Sequence, residues 1–354
     1  LPMDIHNLPL ALTYDDVLLV PQRSNIRSRS QVSLSSRLTR DIPMATPVIA
    51  ANMDTVCGWE MAATMSQLGA VGIIHRFLPI EDQQAEVRKA FEASGGGTIG
   101  AAIGTDHDMI ERTLACSHAG ATVVVLDIAH GHAEHAIEGV KRLKDEAPHM
   151  QVIAGNVATG RGAIDLAQAG ADAIKVGVGP GGVCTTRLVA GVGVPQLTAV
   201  SQAVEVNCGV PIIADGGIRT SGDIAKALAV GADSVMIGSM FAGTKEAPGE
   251  VEQTDRGLFK RIRGMASREA AEHRAARAGE ELDDEYFEHR AAEGVEGLVP
   301  YRGSVELLVN ELMAGLKSSM SYSNSATLAE FRARAQMVRI TGAGLNENHP
   351  HATA

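Results

Sequence analysis

Short runs of consecutive apolar and β-branched residues alternate along this chain with longer stretches in which apolar positions return every three or four residues. The runs are "PVIAAN" (47–52), "AVGIIH" (70–75), "TIGAAIG" (98–104), "TVVVLD" (122–127), "QVIAGN" (151–156), "DAIKVG" (172–177), "PIIADGG" (211–217) and "SVMIGS" (234–239). A continuous apolar run bounded by Gly, Asn, Asp or His reads as a strand covered on both faces. The stretches between, among them "HAEHAIEGVKRLKDEAP", "GRGAIDLAQAGA" and "SGDIAKALAVGA", read as amphipathic helices.

Strand-helix units in line, with strands starting roughly 20 to 40 residues apart, predict an α/β fold closed as a (β/α)8 TIM barrel. A doubly wound sheet is the rival, but its dinucleotide glycine motif follows the first strand, whereas the G-x-G pattern here follows the sixth. The expectation is a single catalytic barrel domain over 1–354, with a flap at about 244–303 and a C-terminal tail at about 341–354. The flap stretch is charge-rich and poor in large aliphatics, so it reads as a solvated linker or as a cover over the active face, and not as core. The amphipathic "SVELLVNELMAGLKSSM" should close the barrel; the tail "GAGLNENHPHATA" is polar and reads as mobile or as bridging subunits.

In a barrel, chemistry belongs to the carboxyl ends of the strands. That face would carry Asn52, His75, Asp127, Asn156, the Cys184 loop, Asp215 and Ser239. Composition narrows the choice of partners. A net charge of −11 disfavours general affinity for nucleic acid or anionic membrane. No stretch has the roughly 18 apolar residues that a membrane helix needs, and the first residues lack the pattern of a secretory signal. The four cysteines, Cys57, Cys116, Cys184 and Cys208, are widely spaced with no C-x-x-C pair, which suggests neither a disulfide framework nor a zinc site and fits a reducing cytoplasm.

Cys184 stands apart from an ordinary buried thiol because it lies in the loop "KVGVGPGGVCTTR". Exposed backbone amides and a nearby cation such as Arg187 favour a nucleophilic thiolate. The glycines at 177, 179, 181 and 182 let backbone groups turn toward an ion or ligand. Asp215, Gly216 and Gly217 after the seventh strand, and Gly238 and Ser239 after the eighth, occupy the usual phosphate corner of a barrel, with Asp215 better suited to ribose hydroxyls. Asp127 ends the fourth strand, and His130 and His132 read as polar cofactor contacts in preference to metal ligands. Glu293 is either a solvated flap carboxylate or a proton carrier working with Thr186.

The segments "PVIAANMDTV", "GVGPGGVCTTR", "GVGVPQLTAV" and "PIIADGGIRTSGDIAKALAVGADSVMIGSM" closely resemble the IMP dehydrogenase and GMP reductase family nearly end to end. The resemblance implies a barrel, usually tetrameric, whose loop cysteine attacks C2 of a purine nucleotide while hydride passes between that carbon and a nicotinamide. Cys184 resembles the nucleophile, and Thr186 with Glu293 its proton relay. Gly179, Gly181, Cys184 and Arg187 resemble the loop that holds a monovalent cation, usually potassium. Asp215, Gly216, Gly217, Gly238, Ser239, Gly264, Met265, Ala266, Arg290 and Gly294 resemble the nucleotide set. Asp127, Ile128, Ala129, Val178, Gly179, Arg76, Ser318, Ser319 and Ser321 resemble cofactor contacts. Gly182 departs from the family, where many members have Ser.

Two activities share this chemistry. The dehydrogenase hydrolyses the thioimidate with water activated by an Arg-Tyr pair on the flap, but here Tyr286 follows Glu285, and "EHRAAEG" resembles the reductase flap. "AANMDTVCGWEMA", "SRSQV" and "SSMSYSNSA" are also reductase-like, and only "LPIEDQQAEVRKAFEASGG" stands where many dehydrogenases insert a paired nucleotide-sensing module. "GGIRTSGD", "GVGVPQ", "VPYRG" and the tail are closer to the dehydrogenase. The resemblance therefore implies NADPH-dependent conversion of GMP to IMP and ammonia in a cytoplasmic homotetramer, with Arg29 and Arg76 as candidates for a 2′-phosphate. An NAD-dependent IMP dehydrogenase and a non-catalytic purine nucleotide-binding barrel remain the alternatives.

Overall fold

A computed structural model describes residues 4–277, 279, 282, 286–287 and 291–350. Eight parallel strands close into a barrel in sequential order. They are β1 (Val48–Ala50), β2 (Val71–Ile74), β3 (Gly100–Ile103), β4 (Val123–Asp127), β5 (Gln151–Val157), β6 (Ala173–Val176), β7 (Ile212–Asp215) and β8 (Ser234–Ile237). Closure is made by β8 on β1, with Val235 opposite Val48. Each strand falls inside its predicted run except β5, which extends one residue past it to Val157, and nearly every strand residue is buried, as expected for strands with side chains on one face and helices on the other.

The helices begin where the sequence supplies caps. Thr159 accepts from the Gly162 amide to start Gly160–Gln168, and Thr220 forms a capping box with Asp223 to start Ser221–Ala229. A cap of this kind contributes about 1 kcal/mol, enough to fix where a short helix leaves its strand. The closing helix, Val305–Tyr322, starts two residues downstream of Gly303, and Glu246 accepts from both the Ser304 hydroxyl and the Val305 amide. Register slips between Gly155 and Val157 on β5, which leaves Asn156 free to turn its amide toward the mouth of the barrel.

The flap after β8 is not a solvated linker throughout. Strands β9 (Glu252–Thr254), β10 (Gly257–Arg263) and β11 (Glu296–Pro300) form an antiparallel sheet, and a helix spans Arg268–Arg277. β10 buries Lys260 and Ile262, contrary to the reading that the segment contains no core. Lys260 is tolerated there because its ammonium donates to the carbonyls of Thr244 at 3.0 Å and Ala247 at 2.5 Å. Burial lowers its pKa. In the tail, Thr341 caps a short helix, Gly342–Glu347, and an N-terminal strand, Val17–Leu19, pairs antiparallel with Met337–Arg339. Among the described residues no helix is long and apolar enough to cross a membrane.

Candidate active site

The loop after β6 brings the thiol to the mouth of the barrel. Cys184 Sγ lies 3.3 Å from Thr186 Oγ1, whose hydroxyl donates to Glu293 Oε2 at 2.7 Å. The flap is bound to this loop by backbone as well. The Thr185 amide donates to the Glu293 carbonyl at 2.9 Å, and the Val295 amide donates to the Val183 carbonyl at 3.0 Å. So close an approach needs glycine on the flap side: a Cβ on Gly264 would stand 2.8 Å from the Val183 oxygen and 3.0 Å from Gly294 Cα. Gly294 pairs with Cys184 as an isolated bridge.

A cavity of about 290 Å³ opens beside the thiol, and its wall includes Cys184, Thr186, Glu293, Asp127, Ile128, Ala129, Val178, Gly179, Arg76, Gly264, Met265 and Ala266. A second, of about 420 Å³, is lined by Gly216, Gly217, Gly238, Ser239 and Arg187, with Arg219 and Arg302. Gly181, Val183, Asp215 and Met236 border both, so the two cavities meet at the cysteine loop. The first thus has a thiol, a carboxylate joined to it through a hydroxyl, and an apolar wall. The second has glycine turns, a hydroxyl and three guanidinia, which is the chemistry that holds a phosphate. Gly182 faces Ser239: a Cβ there would meet Ser239 Oγ at 3.0 Å.

Across the barrel mouth runs a charged network that sequence reading missed. Lys175, 2% exposed, donates to Asp127 Oδ1 at 2.7 Å and Asp215 Oδ2 at 2.6 Å. Asn52 donates to the other Asp127 oxygen at 2.9 Å, and Asn156 donates to Asp215 at 2.9 Å. Burial works to raise the Asp127 pKa, but the Lys175 ammonium and the Asn52 amide more than offset it and hold the carboxyl below its usual range. Burial likewise opposes the charge on Lys175, and the two carboxylates outweigh it, so its pKa is raised. The only sequence signal was a lysine inside an apolar strand run.

Several expected contacts lie elsewhere. His75 directly follows β2 but lines a different cavity, with Asp54, Trp59, Glu86 and Arg277. Its ring is buried under the flap with Nδ1 unpartnered, and desolvation pushes its pKa down to about 4 against the raising pull of Asp54. His132 pairs with Asp165 at 2.8 Å, and neither it nor His130 lines the thiol cavity. Ser318, Ser319 and Ser321 donate to carbonyls of their own helix. They stand more than a dozen residues from its capped start beside the flap, roughly 20 Å along the axis, and line neither cavity. Arg29 also lines neither. Arg290 and Glu285 lie outside the described residues.

The lining can be compared with the nicotinamide group that the family uses and with the cation that the resemblance implies. A third cavity, of about 160 Å³, shares Phe77, Met265 and Ala266 with the thiol cavity, so the pocket extends as a groove suited to an elongated dinucleotide. Its wall holds Phe77, Phe287, Arg268 and Arg274, with the Arg274 guanidinium 5.2 Å and that of Arg76 5.5 Å from the Phe77 ring centre. Among the described residues no His, Cys, Asp and Glu cluster could hold a metal, so a cation at the cysteine loop would need backbone carbonyls, the donor type that suits a weakly charged ion. The Arg187 guanidinium in that loop donates to the carbonyls of Val178 at 3.2 Å and Val194 at 2.7 Å.

Comparison with known proteins accords with this geometry. The family model for the IMP dehydrogenase / GMP reductase domain matches residues 11–351. A GMP reductase from Leishmania major is 37% identical, with 97% of each chain covered. An inosine-5′-monophosphate dehydrogenase from Cryptosporidium parvum is 40% identical, covering 99% of this chain and 97% of its own. The crystal structure of a cysteine-to-alanine variant of GMP reductase from Trypanosoma brucei, in complex with guanosine 5′-monophosphate, superposes with a TM-score of 0.91 at 34% identity, covering 99% of both chains. With its barrel, its loop cysteine and these likenesses, the chain belongs to the IMP dehydrogenase / GMP reductase family of nicotinamide-dependent oxidoreductases.

Proposed function

We propose that the chain is a GMP reductase that converts GMP to IMP and ammonia. The observation that carries this reading is the relay from Glu293 through Thr186 to Cys184, which joins a carboxylate to the sulfur without a water in between. The Cys184 thiolate adds to C2 of the purine. The relay then gives a proton to the C2 amino group, which leaves as ammonia and a thioimidate remains. A nicotinamide, when bound, supplies hydride to C2, and IMP forms as the C–S bond breaks and the thiolate is regenerated. Tyr286 lines the side groove and not the thiol cavity, so it is not placed to activate a hydrolytic water at the sulfur.

The nucleotide reading assigns the phosphate to the turns at Gly216, Gly217, Gly238 and Ser239 and the ribose to Asp215. Asp127, Ile128, Ala129, Val178 and Arg76 face the nicotinamide half. The cluster of Arg76, Arg268 and Arg274 against Phe77 and Phe287 supports NADPH over NADH, since aromatic faces suit an adenine and guanidinia suit an extra phosphate. Carbonyls of Gly179, Gly181, Cys184 and Arg187 would hold potassium and brace the loop. Leu188 and Val192, 86% and 58% exposed beside that loop, support a homotetramer in which a neighbour covers them. Four free cysteines support the cytoplasm.

Paired assays test the reading. NADPH oxidation on GMP with stoichiometric IMP and ammonia is expected. XMP and NADH formed from IMP and NAD+ at an enzymatic rate, with no NADPH consumed on GMP, would establish the dehydrogenase instead. Nucleotide binding with neither turnover would leave a binding protein.

A further inference from the structure

The buried ammonium between the two halves of the site has no part in the relay just described, yet it bonds two carboxylates from different strands. Lys175 sits on β6, Asp127 ends β4 and Asp215 ends β7. One nitrogen bonded at 2.7 and 2.6 Å keeps those two carboxylate oxygens no more than 5.3 Å apart. All three residues line the thiol cavity, and Asp215 also borders the phosphate cavity. Asp127 adjoins Ile128 and Ala129 on the cofactor side, so the lysine stands where the nucleotide half meets the cofactor half.

Two carboxylates this close, only 27% and 19% exposed, repel each other, and without a cation between them one holds a proton more tightly. A protonated carboxyl loses acceptor capacity for a ribose or amide hydrogen. We propose that Lys175 is a positioning residue that clamps Asp127 and Asp215 as a charged pair, so that one buried ammonium sets the geometry of the nucleotide and nicotinamide halves together. The remaining charged or titratable groups near the pair do not replace it. Arg76 acts on Asp127 from the loop after β2, Tyr14 feels Asp215 from the N-terminal segment, and Cys184 and Glu293 line the same cavity and bond each other through Thr186. None bonds both carboxylates.

The inference rests on the proposed reaction, and its test separates the two. In Lys175→Met, GMP affinity by calorimetry and NADPH affinity by fluorescence, on enzyme holding IMP, both weaken about thirtyfold or more. The loss is larger at low pH. With the lysine gone, one carboxyl has a raised pKa, so kcat/KM gains a new limb that falls as pH drops through that value, between about pH 6 and 9. Lys175→Arg keeps the charge and shows no such limb, while its planar fork fits the gap poorly and weakens both ligands by a similar factor.

The double variant Asp127→Asn/Lys175→Met has a single carboxylate and also loses the limb. A Met variant with both affinities unchanged, or one that loses activity equally at every pH, overturns the proposal. Should Lys175→Met fail to fold, weakening of only one ligand in Lys175→Arg overturns it. If the wild-type enzyme turns over IMP and NAD+ instead, the reductase reading fails, and the same scan with those ligands still decides the role of Lys175.

Discussion

Removing the carboxylate from the relay while keeping its shape tests the chemistry most directly. In Glu293→Gln the amide oxygen can still accept the 2.7 Å bond from Thr186, so the loop and flap keep their contacts and only the proton-carrying charge is lost. General acid-base catalysis by a positioned group contributes about 10² to 10⁴ in rate, and that loss is expected in kcat. GMP affinity by calorimetry should stay within about threefold, because the carboxylate acts on the departing amine and not on the bound nucleotide. Thr186→Val cuts the same path at the 3.3 Å step to the sulfur. If the two residues act in series, the double variant is about as slow as the slower single one. If they act independently, the losses multiply to about 10⁴ or more. Rapid-quench measurement of ammonia release on the three variants decides between them. Multiplicative losses, or a Glu293→Gln rate within about tenfold of wild type, would refute the relay.

Other expectations follow from single contacts. Cys184→Ala should abolish turnover while leaving GMP affinity within about tenfold, as calorimetry would read, since the thiol acts in the covalent step. Gly264→Ala places a methyl 2.8 Å from the Val183 carbonyl and should cut kcat by about tenfold or more with little change in the unfolding midpoint. Arg274→Ala should weaken 2′,5′-ADP binding by about tenfold and leave 5′-AMP binding unchanged in competition titrations. His75, held near pKa 4 by burial, binds its proton less readily folded than unfolded. Stability is therefore lost as pH falls from about 6.5 toward 4, by about 3 kcal/mol at most. Urea unfolding of His75→Gln at pH 7 and pH 5 should show a smaller pH difference than wild type.

The barrel and its reactive loop were legible before any coordinates because their signals are local. A run such as "TVVVLD" is too uniformly apolar for anything but a doubly covered strand, and its terminal Asp127 appears where predicted. The cysteine loop announced itself by its glycines, and the glycine turns after β7 and β8 line the cavity beside it. The flap was legible as a cover but not as partial core, since Lys260 looks like a surface residue until its three hydrogens meet two buried carbonyls. His75 joined the expected rim, but the cavity it lines was not legible, for a related reason. Position at a strand end fixes which rim a residue joins and leaves open which cavity its ring enters, and Gln83 pins the His75 carbonyl while the flap covers the ring.

What the chain determined by itself, then, is the order of strands, the helix starts and the chemical types at the rim, all of which depend on residues within a few positions of each other. The pairing of Thr186 with Glu293 was already implied by the resemblance, but its geometry and the whole Lys175 network needed the closed barrel. Thr186 meets Glu293 across 107 positions, and Lys175 meets Asp127 and Asp215 across 48 and 40. Such pairings leave no periodic trace, because a charge is directed by whichever opposite charge the fold brings within hydrogen-bond reach. Only the tertiary structure turned an apparent flaw in an apolar strand into the ammonium at the centre of the site.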